Sequence, residues 1–175
     1  MEENKLIVFN VGEEFYGIDI KKVMGIEKKQ EIITVPNTPD CIKGIINLRG
    51  DVIPIYSFRT KFNKEELTDD DEGMLIITKA GDITIGFEVD QVAQIMDITG
   101  KKVEAPPVII VSEATNYIDK IVSDNGKIVI SLNVEKLVSD KERRQMMSMI
   151  DVVKHDNMNL LGIVCRNRRE GNHMK

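Results

Sequence analysis

The sequence predicts a mainly β protein: two small five-stranded β-barrels packed together, a short helix closing each, and a longer helix at the C-terminal end. Three observations carry this reading. Short apolar stretches rich in β-branched residues alternate with turn signals as far as Val138. The order of those stretches repeats once along the chain. Beyond Val138 the apolar residues fall at helical spacing instead.

Leu6-Ile7-Val8-Phe9-Asn10-Val11, Gly12-Glu13-Glu14 and Phe15-Tyr16-Gly17-Ile18-Asp19-Ile20 read as strand, turn and strand. Val23 and Ile26 lie on a third extended segment, and Ile32-Ile33-Thr34-Val35 on a short fourth that Pro36 and Pro39 interrupt. Then comes Gly44-Ile45-Ile46-Asn47-Leu48-Arg49-Gly50, bounded by glycines, which turns at Arg49-Gly50-Asp51 into Val52-Ile53-Pro54-Ile55-Tyr56. Gly50 supplies a residue free to take positive φ at that corner, so the hairpin is tight and presents Arg49 at its rim. Cys41 reads as a small hydrophobe at the entry to the strand. Ser57 can cap a helical turn from Phe58 to Phe62, and Asn63 to Glu72 is a polar linker.

Shifting the chain by 69 places Leu6-Ile7-Val8 on Leu75-Ile76-Ile77, Gly17-Ile18-Asp19-Ile20 on Gly86-Phe87-Glu88-Val89, Val23 on Val92 and Ile26 on Ile95. After an insertion near Pro106-Pro107, a shift of 76 places Ile45-Ile46 on Ile121-Val122, Gly50 on Gly126, Val52-Ile53 on Ile128-Val129 and the cap Ser57 on Asn133. Two copies of one module follow. A five-stranded meander hides its edges by curling toward closure, and a pair of thin-cored barrels gains burial by packing face to face, leaving a groove between them. The expected organisation is a first barrel over residues 1–65, a second over 66–138, and a C-terminal helix with a flexible tail over 139–175. The copies differ at one corner: Gly44 corresponds to Lys120, and Leu48-Arg49-Gly50 to Asp124-Asn125-Gly126, a plain polar turn. A fold that can close this hairpin without arginine has no structural need of Arg49, which marks it as an interface anchor.

Ser139-Asp140-Lys141-Glu142 is a capping box, with Ser139 as cap and Glu142 three residues on. Met146, Met149, Ile150 and Val153 then share one helical face, read first as a stripe facing the core and second as a methionine-rich partner surface. Leu160-Leu161-Gly162-Ile163-Val164-Cys165 is an apolar run with no place in either copy, and Arg166 to Lys175 form a basic tail.

Composition narrows the function. The chain has 175 residues, 42% hydrophobic and 30% charged, with a formal net charge of −5, which argues against a nucleic-acid surface. It has no tryptophan and only Tyr16, Tyr56 and Tyr117 as tyrosines, so it offers no stacking platform for single strands. No apolar stretch approaches the length of a membrane span, and Met-Glu-Glu-Asn is no signal sequence, so the expected location is cytoplasmic. Cys41 and Cys165 have no metal-like spacing, and His155 and His173 both lie near the C-terminal end. The body therefore lacks the histidine for a nucleophilic triad or a histidine metal site. Asp69-Asp70-Asp71-Glu72 reads as a solvated charge run, and no phosphate-loop spacing exists. No enzyme, metal or cofactor is expected. Arg49-Gly50-Asp51 matches the integrin-type string by accident.

The stretches Phe15 to Val23, Asn37-Thr38-Pro39 through Gly44-Ile45-Ile46-Asn47-Leu48-Arg49-Gly50, Pro54-Ile55 and Leu132 to Leu137 together give the chain a family likeness. From about Leu6 to Val138 it resembles the CheW family of bacterial chemotaxis, and Gly-x-x-Asn-Leu-Arg-Gly followed by a Pro-Ile strand is the specific part of that match. The resemblance implies a double SH3-like barrel. It also implies a non-enzymatic adaptor between the cytoplasmic tips of methyl-accepting chemotaxis receptors and the regulatory domain of the histidine kinase CheA, recruited to membrane arrays without inserting. The receptor tip, a helical hairpin, would lie along the inter-barrel groove against the first copy, and the kinase would approach a barrel end in the second. Positions matching the family's receptor contacts are Val23, Gly44 and Arg49, to which proximity in the repeat adds Ile26, Val35 and Asn47. Helix-in-groove docking of this kind takes affinity from apolar anchors and orientation from Arg49. A CheV-type fusion is the alternative within the same signalling system. Lys120, where a glycine is common, and the C-terminal extension depart from the family pattern.

Overall fold

A computed structural model of the chain describes residues 4–36, 38–65, 73–107 and 116–155. The Asp69 to Glu72 run, Cys165, His173, the apolar stretch from Leu160 and the basic tail lie outside the described residues. In chain order the strands are β1 (Lys5–Val11), β2 (Glu14–Asp19), β3 (Val23–Lys28), β4 (Ile42–Leu48), β5 (Asp51–Ser57), β6 (Met74–Ala80), β7 (Ile83–Val89), β8 (Gln91–Asp97), β9 (Lys102–Glu104), β10 (Ile118–Asp124) and β11 (Lys127–Leu132). Two one-turn helices, α1 (Phe58–Lys61) and α2 (Val134–Leu137), follow β5 and β11, and α3 (Asp140–His155) ends the described chain.

The helix starts obey the capping chemistry read from the sequence. The Ser57 hydroxyl accepts from the backbone N–H of Thr60, and the side-chain oxygen of Asn133 accepts from those of Glu135 and Lys136. At α3 the capping box closes in both directions: Glu142 N–H donates to Ser139 Oγ at 3.1 Å, and Ser139 N–H donates to Glu142 Oε1 at 2.9 Å.

The strands form two sheets, ordered β8-β1-β2-β11-β10-β9 and β3-β6-β7-β5-β4. Both contain strands from residues 1–65 and from residues 66–138. The repeat explains how: β1 and β2 join the later strands of the second copy, while β6 and β7 join the later strands of the first. The equivalent parallel pairs β2/β11 and β7/β5 seal the two exchanges. Apolar periodicity marks strands and their faces, but it does not say which copy a hairpin will pair with, because both copies offer the same edge.

Among the described residues no ladder closes either sheet into a barrel. In the larger sheet the two edges, β8 and β9, are consecutive in the chain. In the smaller, the segment after β3 reaches the far edge through one bridge, where Ile33 and Ile45 exchange backbone hydrogen bonds of 2.8 and 2.9 Å. The short fourth strand expected at Ile32–Val35 is reduced to that bridge, since Pro36 lacks the N–H to continue it. β9, its counterpart in the second copy, has no separate place in the sequence reading.

Among the described residues, alternation along the strands builds three cores. Leu6 and Val8 face the interior of the larger sheet with Met96, Val122 and Val129, and their repeat equivalents Leu75 and Ile77 face the interior of the smaller sheet with Ile46, Ile53 and Ile55. The intervening Ile7, Phe9 and Ile76 point the other way, into a larger core between the sheets. Phe58 is central to that core, stacked on Phe9 at 5.2 Å and on Phe87 at 4.8 Å between ring centroids. Met146, Met149 and Val153 of α3 enter the same core, as the stripe reading expects.

Candidate functional site

The β4–β5 corner is a two-residue turn between the paired residues Leu48 and Asp51. Both central residues take positive φ, 51° at Arg49 and 91° at Gly50, the twist that suits a hairpin. Asn125 and Gly126 turn the equivalent corner of the second copy with φ of 50° and 80°. Asparagine visits this region readily, whereas an ordinary side chain costs about 1–2 kcal/mol there. Arginine therefore occupies a position the backbone would give to asparagine. Asn47 steadies the turn by accepting the Gly50 N–H on its side-chain oxygen at 3.0 Å.

Arg49 remains 76% exposed, and its Nη2 donates to Glu27 Oε1 of β3 at 3.0 Å. Together they border a cavity of about 490 Å³ between the β3 edge, the β4–β5 tip, the start of β7 and α3. Leu48, Val52, Ile53, Ile77 and Ile83 supply apolar surface, Met24 and Met147 overhang it, and Asp51, Asp82 and Asp151 give its rim an acidic cast. Asp82 is held from outside the cavity by Arg143 at 3.3 Å, and Arg49 is the one cation among the lining residues.

The six sequence-selected residues fall in different places. Arg49 lines this cavity, and Ile26 is exposed on β3 beside it. Val23 is half-buried against the inter-sheet core. Asn47 is exposed and engaged with its turn. Gly44 is buried with φ of 151°, and a Cβ there would stand 2.1 Å from the Ile33 carbonyl oxygen, so only glycine permits the Ile33–Ile45 bridge. Val35 lines a second, apolar cleft of about 300 Å³ against α3, with Ile33, Ile45 and Val152. Met24, Glu27, Leu48 and Met147 are among the lining residues that sequence reasoning missed. The exposed alternate positions of β3 could have marked Met24, but nothing local shows that α3 brings Met147 opposite it.

On the far side of α3 from solvent, the Tyr56 hydroxyl donates to the Glu142 carboxylate at 3.1 Å, fastening the helix start to β5. Burial, reinforced by that carboxylate, pushes the Tyr56 phenol well above the usual tyrosine range. Burial also raises the Cys41 thiol beside it. Among the described residues no cluster of histidine, cysteine, aspartate or glutamate could hold a metal ion, and no helix is long and apolar enough to cross a membrane.

The family model for the CheW-like domain matches residues 5–142, spanning the two sheets and the start of α3. The chain belongs to the CheW family. It is 33% identical to the chemotaxis protein CheW of Klebsiella aerogenes over 149 residues, covering 85% of this chain and 87% of that protein. It is 32% identical to CheW of Treponema pallidum, covering 85% and 89%. The crystal structure of the scaffolding protein CheW from Thermoanaerobacter tengcongensis superposes with a TM-score of 0.70 at 29% identity, over 81% of this chain and 92% of that one. The mainly β, two-sheet architecture is thus that of a CheW scaffold, and the role it brings is a chemotaxis adaptor of CheW type.

Proposed function

We propose that the chain couples chemoreceptor cytoplasmic tips to the regulatory domain of the histidine kinase CheA, in the cytoplasm at membrane receptor arrays. The receptor's helical hairpin docks along the cavity bordered by β3 and the β4–β5 tip. One observation carries the reading: an exposed arginine takes a left-handed turn position that the duplicated corner fills with asparagine. That conformation is unfavourable for arginine and is not needed to close the turn, so the side chain serves something outside the fold. The apolar floor and the methionines at the rim suit the apolar face of a helix, and the planar guanidinium suits a carboxylate or backbone carbonyls on it. Ile26 and Met24 extend the contact along β3. Val23, Gly44 and Asn47 support it from behind, as strand, close approach and turn brace, and Val35 belongs to its margin.

The test is reconstitution of receptor fragments, kinase and this protein. Arg49→Glu should abolish capture by receptor tips and receptor-dependent kinase activation, with far-UV dichroism and melting unchanged. Wild-type coupling by that variant would overturn the assignment.

A further inference from the structure

The second cleft is a different kind of surface. It lies between the last two turns of α3 and the chain from Ile33 to Pro36, and Ile45, Met149 and Val152 complete an almost wholly apolar lining. At about 300 Å³ it is twice a cavity of ~150 Å³ that takes up benzene. Val152 stands 58% exposed and Ile33 36% exposed at its lips, an apolar opening that water covers poorly.

The sequence supplies an occupant close by. α3 runs to His155, two residues past the cleft's Val153, and after Asp156-Asn157-Met158-Asn159 comes Leu160-Leu161-Gly162-Ile163-Val164-Cys165. Four connecting residues reach at most about 13–14 Å, enough to turn back over the last helical turns, which advance only ~5.4 Å each. A run so tethered meets the cleft at millimolar effective concentration, an advantage that no separate chain shares. Charge agrees. In a chain of net −5, the last twenty residues hold four basic side chains, among them Arg166, Arg168 and Arg169 directly after the run, against two acidic ones. Asp151 and Glu31, both exposed, adjoin the cleft's Val152 and lie two residues before its Ile33.

We propose that the apolar cleft between α3 and residues 33–36 is the seat of the chain's own Leu160–Val164 run, held by aliphatic burial and flanked by arginines facing an acidic lip. Docking there needs no partner. A further consequence rests on the receptor-coupling reading above: Val35 lies in the cleft, so an occupied cleft and a bound receptor contend for one margin of the first copy, and the run tunes coupling.

The experiment compares methyl NMR spectra of the full chain with those of the full-length Leu161→Asp/Ile163→Asp variant. Far-UV dichroism and the urea midpoint of the variant should match those of the parent, which shows that its fold is kept. Ile33, Ile45, Val35 and Val152 methyls should shift in the variant while those of Ile7, Ile76 and Val122 stay, and the difference should be independent of protein concentration. Superposable cleft methyls in the two proteins would overturn the proposal. Shifts that fade on dilution, with a dimer in sedimentation, would also overturn it, by making a second copy the occupant. Failure of receptor capture alone bears on the coupling reading and leaves the methyl result standing.

Discussion

The Arg49 guanidinium meets the Glu27 carboxylate at 3.0 Å, linking the tip of one edge strand of the five-stranded sheet to the opposite edge strand. The pair therefore spans the open side of the sheet, where no ladder runs. An exposed pair contributes only about 0–1 kcal/mol. Glu27→Ala should leave the urea midpoint almost unchanged while freeing the guanidinium, so capture of receptor tips should persist.

Arg49→Asn separates the turn from the interface. Asparagine suits φ of 51° better than arginine does, so chemical denaturation should show unchanged or higher stability, by up to about 1 kcal/mol. The same protein should lose receptor capture. A variant at once more stable and uncoupled is the signature of a residue retained at the expense of stability.

Gly44→Ala should be far more damaging than its size suggests. The added methyl meets the Ile33 carbonyl at a distance no contact allows, so the backbone must part at the bridge. A loss of about 2 kcal/mol or more is expected in urea melts, with faster hydrogen exchange at the Ile33 and Ile45 amides.

Met146 and Met147 are neighbours on α3 with opposite exposures, the first fully buried and the second 40% exposed. Met146→Ala should cost about 2–5 kcal/mol by opening a cavity in the inter-sheet core. Met147→Ala should stay within about 0.5 kcal/mol of the parent and weaken receptor capture instead.

Alkaline unfolding should report Tyr56. Its phenol is raised in the folded state, chiefly by burial, so above about pH 10 the unfolded chain gives up a proton that the folded chain keeps. Stability is then fully present below pH 10 and falls as pH rises past it. Tyr56→Phe should flatten that fall, while costing about 1–3 kcal/mol at pH 7 because Glu142 loses its buried donor.

What the sequence made legible was local or periodic. The capping box at Ser139 and Glu142, the tight turn at Gly50, the caps Ser57 and Asn133 and the inward stripe of α3 each depend on residues a few positions apart. The duplication was legible because turn glycines and apolar parity recur in order. Partner choice between sheets was not, because β1 and β6 carry the same alternation and either could complete either sheet. At Gly44 the glycine is visible but its cause, the carbonyl of Ile33, is not. The cavity beside Arg49 was half legible: its arginine stands out against Asn125, while Met24 and Met147 come to share it only because α3 packs back on β5.

The exchange of opening hairpins bears on how such a chain could have arisen. Before duplication, one copy alone would have lacked the partners for its first two strands, and two identical chains would have had to trade them to complete a pair of sheets. Joining the copies in one chain keeps that trade within a single polypeptide and lets each corner change without the other: Arg49 stands at one and Asn125 at its twin.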